Sequence, residues 1–254
     1  MRKNSLKEKL AQGQTVIGAF VRVAAPALVE ICAYTGFDFV VLDAEHGPLG
    51  EETVENLVRA AELSGIPALV RVPDNVPSTI LRFMDTGAMG VHVPEINTKE
   101  GAEAAVSGVK YQPEGHRGLA GVRASGYGQI EPLTEYVKAA NAETMVVAHL
   151  ENILGVKNIR EILEVEGLDV IYMGPVDLSN SLGIPGQTSD PRVQEAVAAA
   201  AKEVKDRGRV LGTIVRDVDS ARACVEQGYQ YLLIGTEGLL GGAARAFLHG
   251  VRGG

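Results

Sequence analysis

Eight short apolar or β-branched runs recur along the chain, and segments with helical spacing lie between most of them. The runs are TVIGAFV (15–21), FDFVVLD (37–43), IPALVRV (66–72), MGVHVPE (89–95), TMVVAHLE (144–151), LDVIYMG (168–174), RVLGTIV (209–215) and YQYLLIG (229–235). Segments such as EETVENLVRAAELSG and DPRVQEAVAAAAKEVKDRG separate them, several closing on Gly as helices often do. A helix between two strands returns the chain to the end where the first strand began, so the alternation predicts parallel strands with helices outside. Eight such units in 254 residues predict an α/β fold, a (β/α)8 TIM barrel, as one domain over residues 1–254. An open doubly wound sheet would usually carry a glycine fingerprint at its first helix, and VRVAAPALVE has none. Residues 112–130 read as a long irregular connection of the kind that covers or borders active sites.

Composition narrows the function classes. A formal charge of −8 and the lack of a sustained basic stripe argue against nucleic-acid binding. The two cysteines, Cys32 and Cys224, fall in amphipathic segments and read as reduced thiols rather than a disulfide framework. No apolar run is long enough to span a bilayer, and MRKNSLKEKLAQGQ lacks the apolar core of a signal peptide. The expectation is a cytoplasmic protein with no membrane partner.

In a barrel of this kind the chemistry sits at the C-terminal ends of the strands. Those ends carry Arg22; Asp43, Glu45 and His46; Arg71; Glu95; Glu151; Asp177; Arg216; and Thr236. One charge after a strand is ordinarily a loop residue or helix cap, but a polar group at nearly every strand end points to a catalytic rim. Glu151 ends the fifth strand and Asp177 follows the neighbouring sixth, and the two suit a hard divalent ion such as Mg²⁺ or Mn²⁺, with helix capping the competing role for Asp177. His46 sits where a general base belongs, with Asp43 or another carboxylate available to orient it. His92, inside the fourth strand, reads as a core histidine, and His249, in the last helix, as a surface one. None of the nine lysines falls on a predicted strand, which argues against Schiff-base chemistry; no GxSxG occurs either.

Several motifs, in this order and spacing, carry a resemblance: FDFVVLDAEHGP, PALVRVP, MDTGAMGVHVPEI, PEGHRGLAG, HLEN and IYMGPVDLSNSLG. Over nearly its whole length the chain resembles the metal-dependent (class II) pyruvate aldolases, the 4-hydroxy-2-oxoheptanedioate aldolase family related to the citrate lyase β-subunit. The resemblance implies a carbon–carbon lyase that cleaves a 4-hydroxy-2-oxo acid to pyruvate and an aldehyde, using Mg²⁺, Mn²⁺ or Co²⁺ and no organic cofactor. It implies that Glu151 and Asp177 bind the metal, that His46 paired with Asp85 is the base, and that Asp43 lies near the metal's waters. It places Arg71 beside the keto oxygen and the backbone around Gly174, Pro175, Val176 and Asp177 at the pyruvate carboxylate. It also implies a homohexamer whose last helix packs on a neighbouring subunit. The chain departs from the family at His149, where glutamine is common. His149 and Glu151 share one strand face, so His149 either replaces the amide hydrogen bond or becomes a third metal ligand.

Two other readings remain open from the sequence. The glycines of IGTEGLLGGAARAF, at the helix after the eighth strand, suit phosphate, which would make the chain a phosphosugar isomerase or phosphoenolpyruvate-type enzyme. A non-catalytic protein that binds metal and 2-oxo acid is the other; His46 and Arg71 argue against it, because ligand storage needs no base.

Overall fold

The computed structural model describes residues 1–253. Its eight strands are β1 (Val16–Val21), β2 (Phe39–Asp43), β3 (Ala68–Arg71), β4 (Gly90–Val93), β5 (Met145–Leu150), β6 (Val170–Met173), β7 (Val210–Ile214) and β8 (Tyr231–Gly235). All pair in parallel and in sequence order, and β8 closes on β1. Every expected strand is present, trimmed by up to two residues at an end where the chain bends into a loop.

The helices follow from the alternation: α1 (Ser5–Ala11), α2 (Pro26–Tyr34), α3 (Glu51–Leu63), α4 (Pro77–Asp85), α5 (Lys99–Val109) and α6 (Leu133–Glu143). After β5 come α7 (Ile153–Lys157), α8 (Ile159–Ile162), α9 (Pro175–Ser181), α10 (Pro191–Asp206), α11 (Val218–Glu226) and α12 (Thr236–Arg252). Among the described residues no helix is long and apolar enough to cross a membrane.

Strand alternation divides the core in two. Outward residues such as Val40, Leu42, Val91, Val146 and Ile171 pack under the helices. Inward ones, among them Phe39, Val41, Leu69, Val147, Val170 and Leu233, fill the lumen. Gly18 is required there, since a Cβ on it would lie 2.4 Å from the Phe39 ring. The N-terminal end of the lumen is closed by α1, whose Leu6 and Leu10 join the inward cluster. Polar ties hold this plug to the strand starts: Lys7 to Asp169 at 3.2 Å, Lys9 to Asp38 at 2.5 Å, and Asn4 Nδ2 donating to the Glu143 carbonyl at 2.9 Å.

Towards the other end the inward positions turn polar. Asp43 and Arg71, register partners at the ends of β2 and β3, are both buried, as are His92 on β4 and His149 on β5. The lumen thus has an apolar, plugged base and a charged mouth. Among the described residues no lysine lies on a strand, in keeping with the sequence reading.

Candidate active site

At the mouth, Asp43 is the most heavily bonded carboxylate. Its Oδ1 accepts from Arg71 Nε at 2.9 Å and from the His46 N–H at 3.2 Å. Its Oδ2 accepts from Arg71 Nη2 at 2.5 Å and Arg22 Nε at 2.8 Å. Burial works against its charge, but the Arg71 fork, Arg22 and the His46 N–H outweigh burial and hold the carboxyl at about 2. The fork fixes the Arg71 guanidinium, whose carbon lies 4.7 Å from the Phe20 ring centre. Arg71 Nη1 lies 3.2 Å from Glu45, though without hydrogen-bond geometry, and Glu45 Oε2 is a buried acceptor lacking a donor. Burial raises the Glu45 carboxyl above its ordinary range and the Glu151 charge pushes the same way, against the pull of Arg71.

Glu151, one residue beyond β5, is held on both oxygens. Oε1 accepts from the Glu95 N–H at 2.8 Å, and Oε2 lies 3.2 Å from His149 Nδ1. Glu95 delivers that N–H from a left-handed backbone, φ 51°, a conformation a non-glycine residue rarely holds without a structural reason. Across from it Gly174 has no room for a side chain: a Cβ would sit 2.7 Å from Glu151 Cβ and 3.0 Å from Oε2. Burial opposes the Glu151 charge, yet His149, the Glu95 N–H and Arg71 together keep the carboxyl below its ordinary range.

Glu151 and Asp177 line one cavity of about 360 Å³ with Arg22, His46, Arg71 and His149. Among the described residues no cluster of three or more His, Cys, Asp or Glu side chains is set to cage a metal. The donor set on this wall is two carboxylates, with the Glu45 carboxyl nearby, 3.2 Å from Arg71 Nη1. Both nearby arginines, Arg22 and Arg71, also bond Asp43. Two hard oxygen donors and open space fit Mg²⁺ or Mn²⁺ completed by water or substrate oxygens. A larger cavity of about 480 Å³ lies elsewhere, between the N-terminus and residues 123–131, where Arg123 and Glu62 neutralise each other.

The backbone donors expected around residues 174–177 are fewer than the sequence suggests. The Gly174 N–H donates to the Leu150 carbonyl at 3.1 Å, and Pro175 has no N–H. Val176 and Asp177 remain, in the first turn of α9, where N–H groups have no partner within the helix.

Two placements differ from expectation within the single chain. Here Asp85 does not meet His46: it is the last residue of α4 and accepts from Arg117 Nη2 at 2.8 Å. Barrel helices run antiparallel to the strands, so the C-terminus of α4 lies at the base of the barrel and His46 at its mouth. Asp43 is fully buried, with four protein donors on its two oxygens. Residues 112–130 do not border this cavity either. Following α5 they start at the barrel base, and Arg117 and Arg123 tie them to Asp85, Thr86 and Glu62 at helix C-termini there.

Of the two roles open to His149, the geometry bears on the hydrogen-bonding one. Its Nδ1 faces Glu151 and its Nε2 lies 2.9 Å from His92 Nδ1, so both ring nitrogens are engaged, and hydrogen bonding is the alternative this geometry supports. His92 is a satisfied core histidine, with Nε2 2.7 Å from the Tyr231 hydroxyl, and His249 is exposed. Arg216 and Thr236 do not line the cavity: the Arg216 backbone bonds Ser220, and Thr236 Oγ1 donates to the Phe20 carbonyl at 3.0 Å. The glycine-rich start of α12 carries Glu237, 3.7 Å from Arg22, which disfavours phosphate there. Sequence reasoning missed Phe20 and Tyr172, which line the cavity, and the part played by the Glu95 N–H; inward parity on β1 and β6 was the available signal for the first two.

Comparison with known proteins points to one family. Residues 16–241 match the model described as HpcH/HpaI aldolase/citrate lyase. A hydroxypyruvate/pyruvate aldolase of Roseobacter denitrificans is 34% identical over 233 residues, covering 91% of this chain and 90% of that protein. A 4-hydroxy-2-oxovalerate aldolase of Rhodococcus jostii is 32% identical over 238 residues, 92% of this chain and 90% of that one. Among solved structures, an HpcH/HpaI aldolase/citrate lyase family protein from Burkholderia cenocepacia superposes with a TM-score of 0.93 at 31% identity, over 98% and 100% of the two chains.

Proposed function

The chain belongs to the HpcH/HpaI aldolase/citrate lyase family and is an aldolase, a carbon–carbon lyase; on that premise we propose that it reversibly cleaves a 4-hydroxy-2-oxo acid to pyruvate and an aldehyde with the help of a divalent metal. The observation that carries this reading is the convergence of Glu151, Asp177, Arg71 and His46 on one cavity at the C-terminal ends of the strands.

Glu151 and Asp177 would hold the ion, Mg²⁺, Mn²⁺ or Co²⁺, which when bound supplies Lewis-acid polarisation to the 2-oxo acid. Arg71 presents a fixed positive charge to the oxygen that turns negative as the C3–C4 bond breaks. A preorganised donor of this kind contributes roughly 3–4 kcal/mol to the transition state. Asp43 acts through Arg71: its fork sets the guanidinium before substrate arrives, so no reorganisation is needed during the reaction. His46 takes the proton of the 4-hydroxyl during cleavage and returns it in the aldol direction. It is half exposed, and its ring is tied only loosely, with Nε2 3.8 Å from Glu45. The Val176 and Asp177 N–H groups meet the substrate carboxylate. The aldehyde portion then extends past His46 towards open solvent.

Assembly completes the proposal. Helix α12 buries only Thr236 and exposes Leu240, Phe247 and Val251 by at least 70%. Apolar residues so displayed over one long helix suit a second copy of the chain, and a homohexamer in the cytoplasm is the form we propose.

Dialysis against a chelator should abolish pyruvate release from 4-hydroxy-2-oxo acids, and Mg²⁺, Mn²⁺ or Co²⁺ should restore it. Full activity in chelator would overturn the assignment of Glu151 and Asp177. Replacing Arg71 by Ala should slow proton exchange at the pyruvate methyl group by about 10²–10³-fold. An unchanged exchange rate would remove Arg71 from the reaction.

A further inference from the structure

From Glu151 a hydrogen-bonded line runs into and across the barrel lumen, through residues of three strands. Glu151 Oε2 contacts His149 Nδ1 at 3.2 Å, His149 Nε2 contacts His92 Nδ1 at 2.9 Å, and His92 Nε2 contacts the Tyr231 hydroxyl at 2.7 Å. His149 is 1% exposed, and His92 and Tyr231 are fully buried. The Tyr172 ring stacks on His149 at 4.6 Å and 26°, fixing the imidazole plane. Two histidines in direct contact within a lumen otherwise filled by aliphatic and aromatic side chains need a reason.

We propose that Tyr231, His92 and His149 form a positioning relay of neutral hydrogen bonds that orients the Glu151 carboxylate and keeps His149 out of the metal's coordination sphere. The proton positions follow from counting donors. An ionised carboxylate only accepts, so His149 Nδ1 carries a proton. The Tyr231 hydroxyl has one hydrogen-bond partner, His92 Nε2, and its proton is left without an acceptor unless that nitrogen is bare. His92 then carries its proton on Nδ1 and donates to a bare Nε2 of His149. Every donor in the line meets one acceptor, and each histidine is the Nδ1–H tautomer, the reverse of the form free imidazole side chains favour. Burial, the largest cause, keeps His92 well below the usual histidine range, in keeping with a neutral ring.

The consequence concerns the ion. Glu151 reaches the cavity with one oxygen oriented by the Glu95 N–H and the other by His149, each keeping a lone pair for a cation. His149 has none to give. The protein's donors are therefore oxygens alone, which favours Mg²⁺ and Mn²⁺ over metals that prefer nitrogen. Outer partners of this kind typically change metal affinity by about 10–100-fold when lost. The relay's purpose rests on Glu151 being a metal ligand; its proton pattern does not.

The test uses the full-length protein labelled with ¹⁵N-histidine. Long-range proton–nitrogen spectra, assigned with single histidine variants, should show His92 and His149 as Nδ1–H tautomers both without and with Mg²⁺. Tyr231→Phe removes one oxygen and no ring; it should return His92 to a tautomer mixture and weaken Mn²⁺ binding, read from the free-ion paramagnetic signal, about 10-fold. His149→Gln should restore near wild-type affinity, since an amide both donates to Glu151 and accepts from His92, whereas His149→Leu should lose about 10–100-fold. An Nε2–H tautomer at either histidine, or loss of the Nδ1 proton of His149 on adding metal, overturns the relay. So does a Tyr231→Phe protein identical to wild type in tautomers and affinity. If wild type shows the expected tautomers but binds no Mn²⁺, the metal assignment falls and the proton pattern stands.

Discussion

Asp43 is the residue on which the mouth of the barrel is organised. Four donors from three residues meet on its two oxygens, and in return it sets Arg71 in a plane that faces the cavity. Its carboxyl is depressed from the ordinary 3.8 to about 2. The sign follows from linkage: a carboxylate with a lowered folded pKa binds fewer protons folded than unfolded. Its contribution, about 2 kcal/mol, is therefore complete above pH 4 and is lost as pH falls through 2. Asp43→Asn should cost more at neutral pH, about 3–5 kcal/mol, because it leaves the Arg71 charge buried beside an amide. Between pH 4 and pH 2 its stability should fall by about 2 kcal/mol less than that of the wild type. Urea unfolding at fixed protein concentration across that range measures both effects. An acid limb equal to that of the wild type would show that Asp43 is not the depressed group.

Single elements decide which residues can meet. Because α4 runs from mouth to base, Asp85 at its end is out of reach of His46 within one chain, although the two are only 39 positions apart in sequence. The same reversal sends residues 112–130 to the base, where Arg117 and Arg123 act as ties. Helix α1 illustrates the opposite case, a short element without a strand partner that nonetheless belongs to the core. Leu6 is fully buried at the foot of the lumen, and Asn4 caps the helix by accepting from the Leu6 and Lys7 N–H groups at 3.2 and 3.3 Å. Leu6→Ala opens a cavity there and should cost roughly 2–5 kcal/mol. Since the site lies at the other end of the lumen, turnover at 25 °C should be unchanged while the thermal midpoint drops. A matching fall in turnover would mean that base and mouth are coupled through the barrel.

At the scale of the molecule, the closed sheet removes every strand edge and leaves α12 as the least integrated element. Phe247→Glu puts a charge where the proposed assembly needs an apolar contact. Sedimentation should show smaller particles than wild type, with the circular dichroism of the folded chain retained. A wild-type protein that sediments as a monomer, or a variant that assembles fully, would remove α12 from the interface.

The sequence by itself determined the barrel and most of its mouth. Strand and helix periods are local properties of the backbone, so eight alternations were legible without any tertiary information, and parity along β2, β3 and β5 aimed Asp43, Arg71 and Glu151 inward. What it left undecided were choices among partners. Which donors Asp43 takes, which nitrogen of His149 meets Glu151, and that His92 reaches Tyr231 across 139 positions all depend on ring closure. Hydrogen bonds fade within a few tenths of an ångström of their ideal length. Local periodicity can bring a side chain to the correct face, and only the packed barrel brings it within that distance of one particular atom.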